Sequence, residues 1–253
     1  MTGASLQATH QSLTHTTETL RKAYQDGKLN EVLSVLDASL PGFHNLAAWC
    51  HYRQKNYAQC LEQVEMAEHY GETQSTLAIR AYLYSYDTEF KNEDKLLEIL
   101  PRLHPENVDG INAVVISARS PKSKISWEQA STLATEAIDL LASEPPTVSH
   151  ANLLHNMARL FLDKTTDYAG ALSFINAALS AYGTETNFHH CGAANYWKSV
   201  ILERSGDLKN AYEAALDSLA AWQKQRDLEP GNKEWKTRVN DALKREQQLA
   251  LKR

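Results

Sequence analysis

Cysteine is scarce in this chain of 253 residues: Cys50, Cys60 and Cys191 are the only three, and they are widely scattered. That excludes a disulfide framework and a thiolate zinc site, and points to a reducing cytoplasm. Glycine and proline are also few, at 10 and 7, which argues against collagen-like, turn-dense all-β and linker-rich architectures. No stretch approaches 18 consecutive apolar residues, so no transmembrane helix is expected. No basic residue precedes Arg21 and no early apolar run is present, so neither a secretory signal nor a mitochondrial presequence is expected. Net basic charge is missing too: the sum is −5, which does not suit the molecule as a whole to nucleic acid or anionic lipid.

What is present is ordinary globular material, with 43% hydrophobic and 23% charged residues, enough to bury a substantial core. Apolar residues recur at helical spacing almost everywhere, and strand-like alternation is hard to find. Leu20, Ala23 and Tyr24 make one helical face. Leu133, Ala134, Ala137, Ile138 and Leu141 make another, as do Leu172, Ile175, Ala178 and Leu179. Breakers such as Pro41-Gly42, Pro145-Pro146, Gly206-Asp207 and Pro230-Gly231 cut the chain into roughly a dozen helices. Ser149 and Asn232 are expected to cap the helices that follow them. The fold class is all-α, and no composition shift marks an interdomain linker.

The main signal is an internal repeat. A turn is followed by a large residue, a small or apolar residue three later, and further core positions seven and ten later. The large residues are Leu29, Tyr57, Glu93, Trp127, Tyr168 and Leu208, at intervals of 28, 36, 34, 41 and 40 residues. The sharpest copies are Asp167-Tyr168 with Ala171, Ile175 and Ala178, and Gly206-Asp207-Leu208 with Ala211, Ala215 and Ser218. This pattern resembles the tetratricopeptide repeat, a 34-residue helix–turn–helix unit, over roughly residues 13–222. The likeness lies in the second helix of each unit. The first helices lack the family's Trp-x2-Leu-Gly-x2-Tyr pattern, and the second copy has Ala47-Ala48 and His51 in its place.

The resemblance implies a single domain over 1–253. It would be a right-handed α-α superhelix (a solenoid) of about six helical hairpins, closed by a capping helix over 233–250. It also implies that first helices line a concave groove in which a partner polypeptide lies. Threading that register puts Arg21, Tyr24, Asn45, Trp49, Tyr52, Arg53, Asn156, Lys164, Tyr196 and Arg204 on the groove side. Aromatic side chains would supply area, Arg would grip carboxylates, and Asn would bond to backbone amides. The places of the chaperone-binding carboxylate clamp hold Thr17 and Arg21, Asn45 and Trp49, Asn156 and Leu160, and Tyr196 and Val200. None reproduces the clamp, so a chaperone C-terminus is not the expected partner.

Motifs with chemistry are few. His189-His190-Cys191 looks like a metal cluster, but neighbours on a helix point about 100° apart and rarely share one ion. The expected reading is a surface pair at a helix start, with no metal or other cofactor. No phosphate loop, nucleophile elbow or His-Glu-x-x-His run occurs, and no enzymatic activity is expected. Residues 117–126 form a loop with Arg119, Lys122 and Lys124 and no acid, expected to be solvated. From Lys224 to Arg253 nine basic residues face five acidic ones. There Trp235, Val239, Ala242, Leu243 and Leu249 make the apolar stripe of a capping helix. The expected function is a non-enzymatic, cytoplasmic scaffold or adaptor. The alternative is a structural subunit of a larger assembly, held by its convex face or C-terminal helix.

Overall fold

The computed structural model describes residues 19–20, 23–24, 27–35, 41–85, 89–183 and 187–252. Every regular element among them is helical. Contacts gather in two compact units, Met1–Lys91 and Asn92–Arg253.

The first unit contains α1 (Leu29–Val35), α2 (Pro41–Arg53), α3 (Tyr57–Glu68) and α4 (Gln74–Ser85). Leu20, Val32 and Cys50 form one buried cluster, edged by Phe43 and Leu46. Helix α3 buries Cys60, Val64 and Ala67 on one stripe, and α4 is buried over most of its length. Arg80 on α4 holds Glu68 at the end of α3 through two hydrogen bonds, of 2.7 and 2.5 Å.

The second unit contains α5 (Glu93–Ile99), α6 (Val108–Ala118), α7 (Trp127–Leu140) and α8 (Val148–Lys164). They are followed by α9 (Tyr168–Tyr182), α10 (Phe188–Arg204), α11 (Leu208–Leu228) and α12 (Lys233–Ala250). A 3-10 turn, Leu100–Arg102, extends α5. Each helix packs mainly on its chain neighbours, and α8 also lies against α6. The centre of the unit is built from α8, α9 and α10, where Leu154, Ala158, Ile175, Ala178, Ala194 and Ile201 are buried together.

All six repeat anchors open a helix: Leu29 α1, Tyr57 α3, Glu93 α5, Trp127 α7, Tyr168 α9 and Leu208 α11. The residue three later is fully buried every time, as Val32, Cys60, Leu96, Ala130, Ala171 and Ala211. The turns explain the shared starting point. Gly206 adopts φ +88°, a left-handed conformation that ends α10 without a Cβ penalty. Asp207 then accepts from the Asn210 amide at 3.1 Å and caps α11. Asp167 does the same for Gly170 at the start of α9.

Two local expectations change. The cap of α8 is Thr147, whose Oγ1 accepts from the His150 amide at 3.2 Å, and Ser149 lies inside the first turn. Asn232 does cap α12, accepting from the Glu234 amide. On α12, Val239, Ala242 and Leu249 are buried, but Leu243 is 40% exposed and Arg245 is buried instead. Residues 117–126, which run from the end of α6 to the start of α7, keep Lys122 and Lys124 exposed, as expected, with two ion pairs holding the segment. Arg119 pairs with Asp163 at 3.0 Å and Lys124 with Asp94 at 2.7 Å. No helix among the described residues is long and apolar enough to cross a membrane.

Candidate functional site

Arg21 lies outside the described residues. In the first unit, Tyr24 and Arg53 meet: the guanidinium stands 4.7 Å from the ring centre and Nη1 donates to the Tyr24 carbonyl at 2.7 Å. Trp49 and Tyr52, one turn apart on α2, are half-buried rather than open. Both rings pack against Tyr82 of α4 at 5.5 Å, and Tyr52 also meets Tyr57 of α3 at 5.7 Å. These rings knit three helices together. Asn45, a turn earlier on α2, keeps its Oδ1 buried with no hydrogen-bond partner among the described residues.

In the second unit most of the sequence-derived residues bond to protein. Asn156 donates from Nδ2 to Asn112 Oδ1 and to the Asn152 carbonyl, joining α8 to α6. Lys164 donates to the Ser120 carbonyl at 2.9 Å, and Arg204, itself exposed, reaches the Leu162 carbonyl at 3.3 Å. Tyr196 differs, because it lines a cavity of about 700 Å³ within this unit.

That cavity is the strongest candidate site. Helix α8 contributes His155 and Arg159, four residues apart and so on one face. Helix α10 contributes His189, Ala193, Tyr196 and Trp197, again at helical spacing. Helix α12 supplies Trp235, Arg238, Asp241 and Gln248 along its length, and α11 adds Trp222. The volume falls within the range of ordinary ligand sites. Of the groove residues expected from sequence, the cavity takes Tyr196. On α8 the side chains facing it are His155 and Arg159, one helical step from Asn156.

Ring contacts stiffen the wall. Trp235 stacks on Trp222 at 5.6 Å with 26° between planes, and His189 lies 5.8 Å from Trp235. His190 stacks on Tyr182 at 4.8 Å and 9°, and the Tyr182 hydroxyl donates to Asn152. Arg159 lies over the Trp197 ring, 4.2 Å from its centre, which fixes the direction of its guanidinium. His189 and His190 are therefore half-buried members of an aromatic wall, not a bare surface pair. Cys191 donates its thiol to the Gly183 carbonyl at 3.1 Å. Among the described residues no group of three His, Cys, Asp or Glu side chains is placed to hold a metal ion.

The electrostatics are unusual for an acidic chain. Arg159, Arg238, Lys244 and Arg245 line the cavity against two carboxylates, Glu234 and Asp241. His155 is only 8% exposed, and its Nε2 has no hydrogen-bond partner among the described residues. Burial, followed by the nearby positive charges of Arg159, His190 and Arg119, pushes its pKa down to about 3, so the imidazole is neutral at neutral pH. In the sequence Trp235 belongs to the stripe of a capping helix, and the His pair lacks the spacing of metal ligands. The available signal was the coincidence of Trp and Arg on α12 with His and Arg on α8. No protein-family model matches the chain, and no curated protein matches it.

Proposed function

We propose that the chain is a non-enzymatic, cytoplasmic interaction protein built from tetratricopeptide-like helical hairpins, and that it holds a segment of a partner polypeptide. The cavity of the second unit is where the segment docks. The observation that carries this reading is that cavity itself. Packed aromatic rings, four cationic side chains and the His155 imidazole line about 700 Å³ bordered by α8, α10 and α12. Such a wall offers area at low entropic cost, which is what a binding surface needs. The two helices α8 and α10 are first helices of the repeat units, where the resemblance expects a partner to lie. The buried thiols of Cys50, Cys60 and Cys191 suit a reducing compartment.

Site-directed photo-crosslinking in source cells tests the reading. A photoreactive residue at Gln248, exposed at the cavity, should give discrete polypeptide adducts. The same residue at Glu213, exposed on α11 and not part of the cavity lining, should not. Adducts at neither position, or equally at both, contradict it.

A further inference from the structure

We infer that the segment held in this cavity is acidic, with carboxylates received by Arg159, Arg238 and Lys244. The inference rests on the polypeptide reading above and adds the chemistry that selects the segment. Three observations support it.

The first is local charge. The chain carries −5 overall, yet the cavity wall has four cationic side chains and two carboxylates. A positive concavity on a negative molecule focuses anionic partners toward it and repels them elsewhere. Arg245 is already committed, donating to Ser199 and Glu203, and Arg238 leans on Glu234 at 3.3 Å. Lys244 has no ion pair among the described residues.

The second is preorganisation. Arg159 stands over the Trp197 ring, 4.2 Å from its centre, so its guanidinium already has a direction and less side-chain freedom is lost when a carboxylate joins its existing contacts. Charge-assisted bonds to such a guanidinium are short and strong. One face each of Trp197, Trp222 and Trp235 is taken within the wall. The cavity is thus better furnished with positive charge than with open stacking surfaces, which favours an acidic chain over a flat aromatic molecule.

The third is His155. It is more than nine-tenths buried, lines the cavity, and leaves Nε2 without a hydrogen-bond partner among the described residues. A buried polar atom without a partner is costly, and a bound segment that reaches it recovers part of that cost. A main-chain amide or a side chain of the bound segment meets that need.

The test uses the full chain and a fluorescent peptide of alternating Glu and Ala, followed by anisotropy. The Gln-for-Glu peptide is the neutral control, and a phosphoserine-for-Glu peptide asks whether phosphate serves as well as carboxylate. The Glu peptide should bind roughly tenfold tighter than the Gln peptide or better, as loss of charge-assisted bonds implies. Its affinity should fall as salt rises. The double variant Arg238→Gln/Lys244→Gln should weaken the Glu peptide roughly tenfold and leave the Gln peptide unchanged. Both residues are exposed on α12, so the unfolding midpoint should stay within a degree or two of wild type. Equal binding of the Glu and Gln peptides, or full affinity in the double variant, overturns the inference. A phosphoserine peptide that binds while the Glu peptide does not also overturns it, in favour of phosphate. If cross-linking at Gln248 still captures polypeptides when the peptides bind equally, only the acidic selection fails. Tight Glu binding with no capture leaves an anion site and removes the polypeptide reading.

Discussion

Arg245 fastens α12 to α10 through Ser199: Nε donates to its Oγ at 3.0 Å and Nη2 to its carbonyl at 2.9 Å. The third guanidinium nitrogen, Nη1, reaches Glu203 at 2.6 Å, and Lys252 binds the other oxygen of the same carboxylate. Arg245 is 8% exposed and Ser199 fully buried, so these bonds are poorly reached by water. They fix the distance between the two helices that carry most of the cavity wall.

Replacing Arg245 with Met should therefore destabilise the chain by about 2–4 kcal/mol, because Glu203 and Ser199 lose buried partners. Urea unfolding measures this. Cavity binding should fall in parallel, since α12 carries Trp235, Arg238 and Lys244.

Gly192 lets α10 lie close against Trp222 of α11. A Cβ built there would stand 2.7 Å from the Trp222 ring, and Ser218 Oγ donates to the Gly192 carbonyl at 2.8 Å. The Gly192→Ala substitution should cost about 1–3 kcal/mol through overpacking. It should also shift the near-ultraviolet signal of the Trp222–Trp235 stack, read by circular dichroism.

The six anchors were legible because a helix start and a buried residue three positions later are local events that each copy repeats, and four copies add a side-chain cap, at Asn92, Ser126, Asp167 and Asp207. The cavity was not, because it collects side chains from α8 to α12 across some ninety positions and depends on how each helix is rotated. Asn156 and His155 show the difficulty. They are adjacent in sequence, yet one bonds to α6 and the other faces the cavity. The weak first-helix pattern carried no marker to separate them. Arg245 was read as one charge in a basic run, although its burial is what joins α12 to α10. The division into two units after Lys91 left no composition signal, since no run of Gly, Pro or Ser marks it.

Trp49 should behave as a structural residue as well as a candidate contact. Its ring packs edge-on to Tyr52 at 5.9 Å and against Tyr82 at 5.5 Å. Trp49→Ala should cost about 2–4 kcal/mol, somewhat below the figure for a fully buried ring. Arg53→Ala, which removes an exposed contact to Tyr24, should cost no more than about 1 kcal/mol. Thermal unfolding of the two single variants separates the two roles.

His155 makes stability depend on acidity. Its folded pKa is depressed to about 3 while the unfolded value stays near 6.5, so the unfolded chain binds the extra proton between those limits. Its contribution is whole above pH 6.5 and is lost as the pH falls through that window. The slope is up to about 1.4 kcal/mol per pH unit for one proton. Denaturant unfolding across this range should show a shallower acid limb in His155→Gln than in wild type.

The central claim is that the second unit's cavity holds a partner segment. Affinity capture from source-cell lysate addresses it most directly, with wild type beside a Tyr196→Ala/Lys244→Gln variant that retains the wild-type helical signal and cooperative unfolding. Wild type should retain a polypeptide that the variant loses, and the Glu-rich peptide should displace it from wild type. Equal retention by both proteins would contradict the account and move the interface to another face, as a fixed subunit of an assembly would require.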